Sequence, residues 1–391
     1  MALYEGIALI QEKQAVVLDL GTDYTKFGFT GEAAPRCIVR SEFWCAATRR
    51  YRRVHDYQTA DELYDNLVHM LHLLYFRHVL VNPKERKVVV VESLLTPTLF
   101  RETLAKVLFT HYEVSGVVWA DSPRLCALTL GTPVALIVSI GAKEAEVAAV
   151  VHSCVVLHAM ESQPLGAHAI HAELRRLLDE DNDATLDLPD LVIEDIKVKT
   201  CFVGSRSRAQ QWEAARAARD VQFACGERGR LRVSGATRER AAEVLFARDN
   251  ELASLPDIVL QCIMRCPIDA RRALAENVLV TGGTASLPGL RARLAQELRH
   301  LVTRPPYASR LHVREFKFHG APAQDSAAAW LGGALLGAGE AGAARATPRD
   351  VYARARRLRD WRERLMADFS TVPEWDHMAA VLTCYVAYNN R

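Results

Sequence analysis

The sequence predicts an α/β protein built from two related lobes, and three observations carry that reading. Apolar, β-branched runs alternate with helical patterns, the arrangement that gives a mixed sheet with helical crossovers. A strand, a glycine turn and two further strands occur from Val16 and recur from Val134. The 391 residues exceed one ordinary core, which leaves two large lobes or one domain with insertions.

Composition narrows the class. Half the residues are apolar and a quarter charged, as in globular proteins. A net charge of +2 gives no overall nucleic-acid footprint. Nine cysteines are scattered and only Cys262 and Cys266 lie close, which favours reduced thiols over a disulfide framework or a zinc site. MALYEGIALIQEKQ at the N-terminus lacks the basic region and long apolar core of a signal peptide. No apolar run is long enough to span a membrane, so a soluble intracellular protein is expected.

In chain order, Ala15–Leu18 reads as a buried strand ending at Asp19, Gly21 and Thr22 as a tight turn, and Lys26–Phe29 as a second strand. Gly31–Val39 is a loop returning to a strand. Arg40–Asp56 reads as an irregular basic interval containing RRYRR (Arg49–Arg53), either a surface for an acidic partner or a solvated loop. Ala60–His78 is predicted to be a helix with Leu63, Leu67, Met70, Leu71 and Leu74 on its apolar face. His69 and His72 on it could pair on a metal, but no third ligand is near in sequence, which favours solvated or capped histidines. Lys87–Glu92 is a buried strand, Thr98–Thr110 a helix, Val114–Ala120 a strand and Asp121–Leu130 a helix closed by Gly131. Val134–Ile140 is again a strand ending before a glycine, Gly141.

Beyond it, Gly166–Leu178 and Val192–Phe202 are predicted helices. Arg206–Arg219 reads as exposed, and Val221–Val233 as a hairpin turning at Gly226–Gly229. Helices follow at Pro256–Cys266 and Ile268–Glu276. NVLVTGGT (Asn277–Thr284) is a strand running into a Gly–Gly turn before a helix from Pro288, and Ala327–Gly339 is a small-residue helix or turn. The segment Arg345–Arg364 carries eight arginines against three acids. Val351, Leu358, Trp361 and Leu365 would form one apolar stripe there, docked on an acidic partner or on the protein's own surface.

The glycine turns carry the chemistry. A carboxylate at a strand end, a glycine turn and a following lysine suit a metal-bound nucleotide, because backbone N–H groups cradle phosphate oxygens and Asp19 reaches the metal through water. A strand–turn–strand of this kind is also an ordinary hairpin. The second copy differs, with Ser139 in place of the carboxylate and Ala142 after Gly141. The Gly282–Gly283–Thr284 turn before a helix suits an adenosine or phosphate group.

The order of these turns resembles the actin fold shared by actins, chaperone ATPases and sugar kinases. DxGxxxxKxGFxGExxPR (Asp19–Arg36), CIMRCPIDARRALAENVLVTGGTASLPG within Pro256–Gly289, and AWLGG (Ala329–Gly333) resemble actin wording across nearly the whole chain. The resemblance implies a duplicated, ribonuclease-H-like, two-lobe fold with a nucleotide cleft between the lobes. It implies a subdomain-1-like part at 1–36, 60–130 and 327–391, and a reduced subdomain-2-like part at 37–59 that lacks the loop inserting into a neighbouring subunit. A subdomain-3-like part falls at 131–165 and 256–326, and a subdomain-4-like part at 166–255. Within the family, YEG near the start, LYFRHVLVNPKERKVVVVESLLTP (Leu74–Pro97), FRETLAKVLF (Phe100–Phe109) and QCIMRCPIDAR (Gln261–Arg271) are similar to the branch at the pointed end of dynactin.

Carried over residue by residue, Asp19, Gly21, Thr22 and Lys26 match the first phosphate turn and Gly141 the second. Lys197 matches a lysine near the base, and Gly282, Gly283 and Thr284 match the adenosine turn. Ser139 and Ala142 replace two aspartates, and Ser122 stands where the family has the glutamine that orients the attacking water. Leu287 and Ser326 replace an aromatic residue and a lysine on adenine, and Glu194 and Val198 also depart. The resemblance therefore implies that the first turn is either a static seat for ATP or ADP with Mg, not hydrolysed and with Asp19 facing the metal, or a structural relic. It implies partners among actin-related filament subunits, actin and the accessory pointed-end subunits of dynactin, with dynein and cargo adaptors reached indirectly. The competing readings are a nuclear actin-related subunit of a chromatin remodeller and an active ATPase of the same fold.

Overall fold

Valine-rich runs become strands here because β-branched side chains pack well on a pleated surface covered on both faces. The computed structural model describes residues 14–46, 48–211, 218–226, 229–248 and 253–358, with the side chains at 341 and 343 outside that set. The chain divides into two compact units, Met1–Pro133 with Ala321–Arg391, and Val134–Gly320.

The first unit holds β1 (Val16–Leu20), β2 (Tyr24–Phe29), β3 (Cys37–Arg40), a separate pair β4 (Glu42–Cys45) and β5 (Arg50–Arg53), then β6 (Lys87–Glu92) and β7 (Gly116–Asp121). Its sheet runs β7–β6–β1–β2–β3, with the short strand Thr347–Pro348 beside β7. From the β3 edge inward, the first two pairings are antiparallel and the next two parallel. The second unit holds β8 (Val134–Ile140), β9 (Ala145–Val151), β10 (Cys154–Val155), β11 (Glu161–Gln163), the hairpin β12 (Val221–Ala224) and β13 (Arg230–Val233), then β14 (Val278–Thr281) and β15 (Phe318–His319). Its sheet runs β10–β9–β8–β14–β15, with β11 paired to β9. The pairings again run antiparallel, antiparallel, parallel, parallel. The repeated wording at Val16 and Val134 is thus a repeated topology.

Alternation along β1 decides what each face of the first sheet packs on. Val16 and Leu18 join one buried cluster with Leu63, Leu67 and Leu104, from the helices Ala60–Leu73 and Thr98–Lys106. Val17 faces the other way, into a cluster with Val89, Val118 and Trp330. Trp330 lies on the helix Ala328–Ala338, is fully buried, and donates its indole N–H to the Val17 carbonyl at 3.2 Å. That helix is apolar all round because both its sides are covered. A Cβ on Gly332 would stand 2.1 Å from the Leu125 carbonyl, so only glycine allows this approach to the helix Ser122–Leu130.

Local signals explain most helix ends. Thr59 caps the helix Ala60–Leu73 by accepting the Glu62 N–H, with Asp61 and Glu62 at the positive end of its dipole. Ser254 and Asp257 form a capping box on Leu255–Arg265. Gly131, in the left-handed region, closes Ser122–Leu130.

Five expectations need correction. The expected single helix Ala60–His78 changes at Leu74 into a wider π-helical stretch through Val79, closed by Leu80 at φ 56°. The helix expected over Thr98–Thr110 likewise widens from Val107 to His111, where the Tyr112 N–H reaches back to Val107. Apolar spacing alone does not separate these windings. Arg40–Asp56 is not irregular, since β4 and β5 pair there, with Phe43 buried and Trp44 exposed in alternation beneath the charges. The Val351–Leu365 stripe does not form as one helix: the helix Arg349–Ala355 ends at Arg356, φ 51°. Tyr352, not Val351, is the buried residue, stacked on Phe109 at 4.5 Å, and Leu358 is buried on the same unit. Trp361 and Leu365 lie outside the described residues. Finally, Arg206 and Arg208, read as exposed, are half-buried in ion pairs with Glu297 and Glu239.

Trp330→Ala should destabilise the first unit by about 3–5 kcal/mol, the usual cost of emptying a large aromatic site. Denaturant unfolding followed by hydrogen exchange on β1 and β6 measures it. A loss below about 1 kcal/mol would contradict this packing.

Candidate functional site

The first turn is built by register. Antiparallel pairing sets Asp19 opposite Lys26, on the ends of β1 and β2. Their side chains, 16% and 12% exposed, form an ion pair at 2.8 Å. Gly21 lies between them, where a Cβ would stand 2.7 Å from the Tyr24 carbonyl. Its own carbonyl accepts the Ser41 hydroxyl at 2.6 Å and contacts His55 Nε2 at 3.2 Å. The Ser41 N–H reaches the Asp23 carbonyl at 2.8 Å, so the turn is pinned from the start of β4. Thr22 sits half-buried in the same bend.

The second unit assembles its turns by close backbone contact. Gly282 follows β14 at φ +97°, and a Cβ there would stand 2.2 Å from the Ile140 carbonyl. Only glycine combines that dihedral with that approach. Thr284 then donates its hydroxyl to the Gly141 carbonyl at 3.0 Å. Gly141, Gly282, Gly283 and Thr284 are therefore one cluster. The Gly141 N–H is taken by the Glu144 carbonyl, and the carbonyls of Gly141 and Ala142 accept the first amides of the helix Ala167–Asp181. Lys197 lies on the helix Asp190–Thr200, buried. The chain leaving that helix is tied to the adenosine-type turn, since the Val203 N–H donates to Pro288 at 2.8 Å and Gly289 packs on the Val203 carbonyl. Leu287 is buried in the core of the unit.

Sequence reasoning missed a polar group beside the first turn. Asp19 stands one residue before the end of β1, while the parallel strands β6 and β7 end in Glu92 and Asp121, which lie opposite each other in register. Arg101 approaches Glu92 at 3.4 Å, and Arg124 pairs with Asp121. Burial pushes the Glu92 pKa up to about 7, with Arg101 opposing and Asp121 adding to the shift. The signal was present, since each strand-like run closes on an acid. The arginines that answer them come from the following helices and could not be paired by eye. Among the described residues no cluster of three or more His, Cys, Asp or Glu could hold a metal ion.

The donor set can be tested against a metal-bound nucleotide. The glycine turns are tight enough to bring backbone to phosphate oxygens, and Asp19 with Lys26 offers one anion and one cation at a strand end. Ser139 and Ala142 supply no opposing carboxylate. Taken by itself, the first unit's turn has the anion and the cation that suit a metal-bound phosphate, and the second unit's turn has no carboxylate at 139 or 142.

Two sheets of identical pairing order, each ending in a glycine turn, are the architecture that the actin-like wording implied. The Actin family profile matches residues 62–191 and 188–344. The chain belongs to the actin family. It is similar to actin-related protein 10 of Dictyostelium discoideum, 23% identical over 398 aligned positions, covering 84% of this chain and 83% of that one. It is also similar to actin-related protein 2 of Arabidopsis thaliana, 25% identical over 323 positions, covering 74% of this chain and 82% of that one. No described helix is long and apolar enough to cross a membrane.

Glu92 gives this actin-family member a pH dependence with a definite sign. Its folded-state pKa of about 7 lies above the ordinary 4.5, so the native state binds the proton more tightly. The stability it contributes is full below about pH 4.5 and is lost as pH rises through about 7. Glu92→Gln should flatten this part of the stability–pH curve and melt higher than the parent above pH 7. Parallel curves for the two proteins would contradict it.

Proposed function

We propose that this chain is a non-catalytic structural subunit that caps the pointed end of the short actin-related filament of dynactin, in the cytoplasm. The observation that carries the reading is the form of the 37–59 segment. Where the family extends a loop into the next subunit, this chain has the short pair β4–β5, seated on the helix Ala60–Leu73 by Phe43, which stacks on His69 at 5.1 Å. A head-to-tail contact propagates only while both faces are present. A subunit that keeps the barbed-side face and lacks the inserting loop joins one filament end and offers no grip beyond it. The similarity to actin-related protein 10 supports an actin-related subunit. In this role the partners are filament subunits and actin on one side and accessory pointed-end subunits on the other. Dynein-driven transport and cargo adaptor attachment are served through the complex.

The same reading makes the nucleotide a structural ligand. Asp19, Gly21, Thr22 and Lys26 of the first unit, with Gly141, Lys197, Gly282, Gly283 and Thr284 of the second, would hold ATP or ADP, and Asp19 would face its Mg. The bound nucleotide supplies charge and hydrogen-bond acceptors to the turns. Binding to phosphate requires Lys26 to share its ammonium between Asp19 and the ligand. Turnover requires an oriented water and a second metal-facing carboxylate, and Ser122, Ser139 and Ala142 provide neither.

Two results are expected. Purified protein should release no phosphate from ATP above the blank, and release that Asp19→Asn abolishes would refute the non-catalytic role. In a salt-induced pelleting assay the isolated chain should stay in the supernatant. Filaments of this chain alone would contradict the missing face.

A further inference from the structure

We propose that the outward face of β4–β5, continued by β3, docks an extended acidic protein segment that carries apolar side chains. β3 and β4 are separated by Ser41 alone, so side chains alternate through both. Ile38 and Trp44 are exposed along this line, while Phe43 faces inward. Register sets Tyr51 directly opposite Trp44, and the two rings meet edge to face at 5.3 Å. They are 68% and 55% exposed, Tyr51 the more so. A cross-strand aromatic pair is rigid, and here its apolar surface is left in water.

Charge surrounds this ridge. The interval Arg40–Asp56 holds five arginines against two acids, whereas the whole chain carries only +2. Glu42 is answered by Arg40 at 3.4 Å, and Arg52 is held by Glu62 at 3.4 Å. Arg49 and Arg50 are exposed at the turn, and among the described residues neither has an ion-pair partner. Trp, Tyr and Arg are the residues that dominate binding energy at protein interfaces. Arginine at a strand edge can serve merely to prevent self-pairing, but that purpose gives no reason to expose a tryptophan and a tyrosine together. β4 and β5 form a two-stranded sheet, so its edges offer main-chain groups to an extended partner. An acidic peptide with apolar anchors uses the charge, the ridge and the edge. Duplex nucleic acid or a lipid surface would use the charge alone. The inference holds whether or not the chain caps a filament.

The test uses the full chain and a labelled peptide alternating glutamate and leucine, followed by fluorescence anisotropy. Binding should saturate and weaken as salt screens the arginines. Trp44→Ala should weaken it about tenfold or more, and Trp44→Phe should restore most of that loss. Arg49→Glu with Arg50→Glu should abolish it, while Arg356→Glu with Arg357→Glu in the other basic segment should leave it unchanged. The five sites are exposed, so unchanged melting of each variant is expected and separates lost binding from lost fold. The inference is overturned by non-saturable binding, by equal loss in the Arg356/Arg357 variant, or by tighter binding to duplex DNA or phosphatidylserine vesicles than to the peptide.

Discussion

Backbone touches backbone at Gly282. A side chain there would stand 2.2 Å from the Ile140 carbonyl, so β8 and β14 can run parallel up to their turns only because that position is empty. The Thr284 hydroxyl then closes on the Gly141 carbonyl, and the amides of Ala167 and His168 close on the same turn from the other side. The first unit meets the same requirement differently. Its turn is braced by the Asp19–Lys26 ion pair and by Ser41, and its sheet is held from beneath by Trp330, which both fills space and satisfies a strand carbonyl. In each unit a buried parallel pair delivers a glycine turn to the end of the sheet.

What the turns retain and what they lack then separates two properties that active relatives of this fold combine. Cradling an anion needs backbone N–H groups and a tight bend, and those follow from glycine geometry. Hydrolysis needs opposed carboxylates, and these depend on single side chains with no part in the packing. Ser139 sits in register between Glu146 and Thr281, where an aspartate would set a like charge opposite Glu146 and a serine sets none. Serine at this position therefore costs the fold nothing. Under the proposed reading, this lets an actin-family chain keep its architecture while serving as a structural subunit.

Much of this was legible in the residues. KVVVVE, VALIVSI and IDARRALAE fixed their elements to the residue, because strongly apolar or strongly periodic runs leave one reading. The duplication was visible because both copies follow the same strand, glycine, strand order. The basic interval misled because four arginines mask a period of two in EFWC and RYRR, whose outward aromatics resemble loop residues. The π-helical ends at Leu74 and Val107 were hidden because apolar spacing tolerates one extra residue per turn. At the candidate site, Asp19, Gly21 and Lys26 were singled out by pattern. The Asp19–Lys26 pairing needed the register, and the Glu92–Arg101 contact needed a helix placed beside a strand. Long-range pairing of charged side chains is set by tertiary packing and leaves no local trace.

The most direct measurement is two-colour microscopy of fluorescent chain added to growing filaments of actin-related protein. Capping predicts single spots at one end, with elongation arrested at that end and continuing at the other. Label distributed along the filament, or growth continuing past a labelled end, would contradict it.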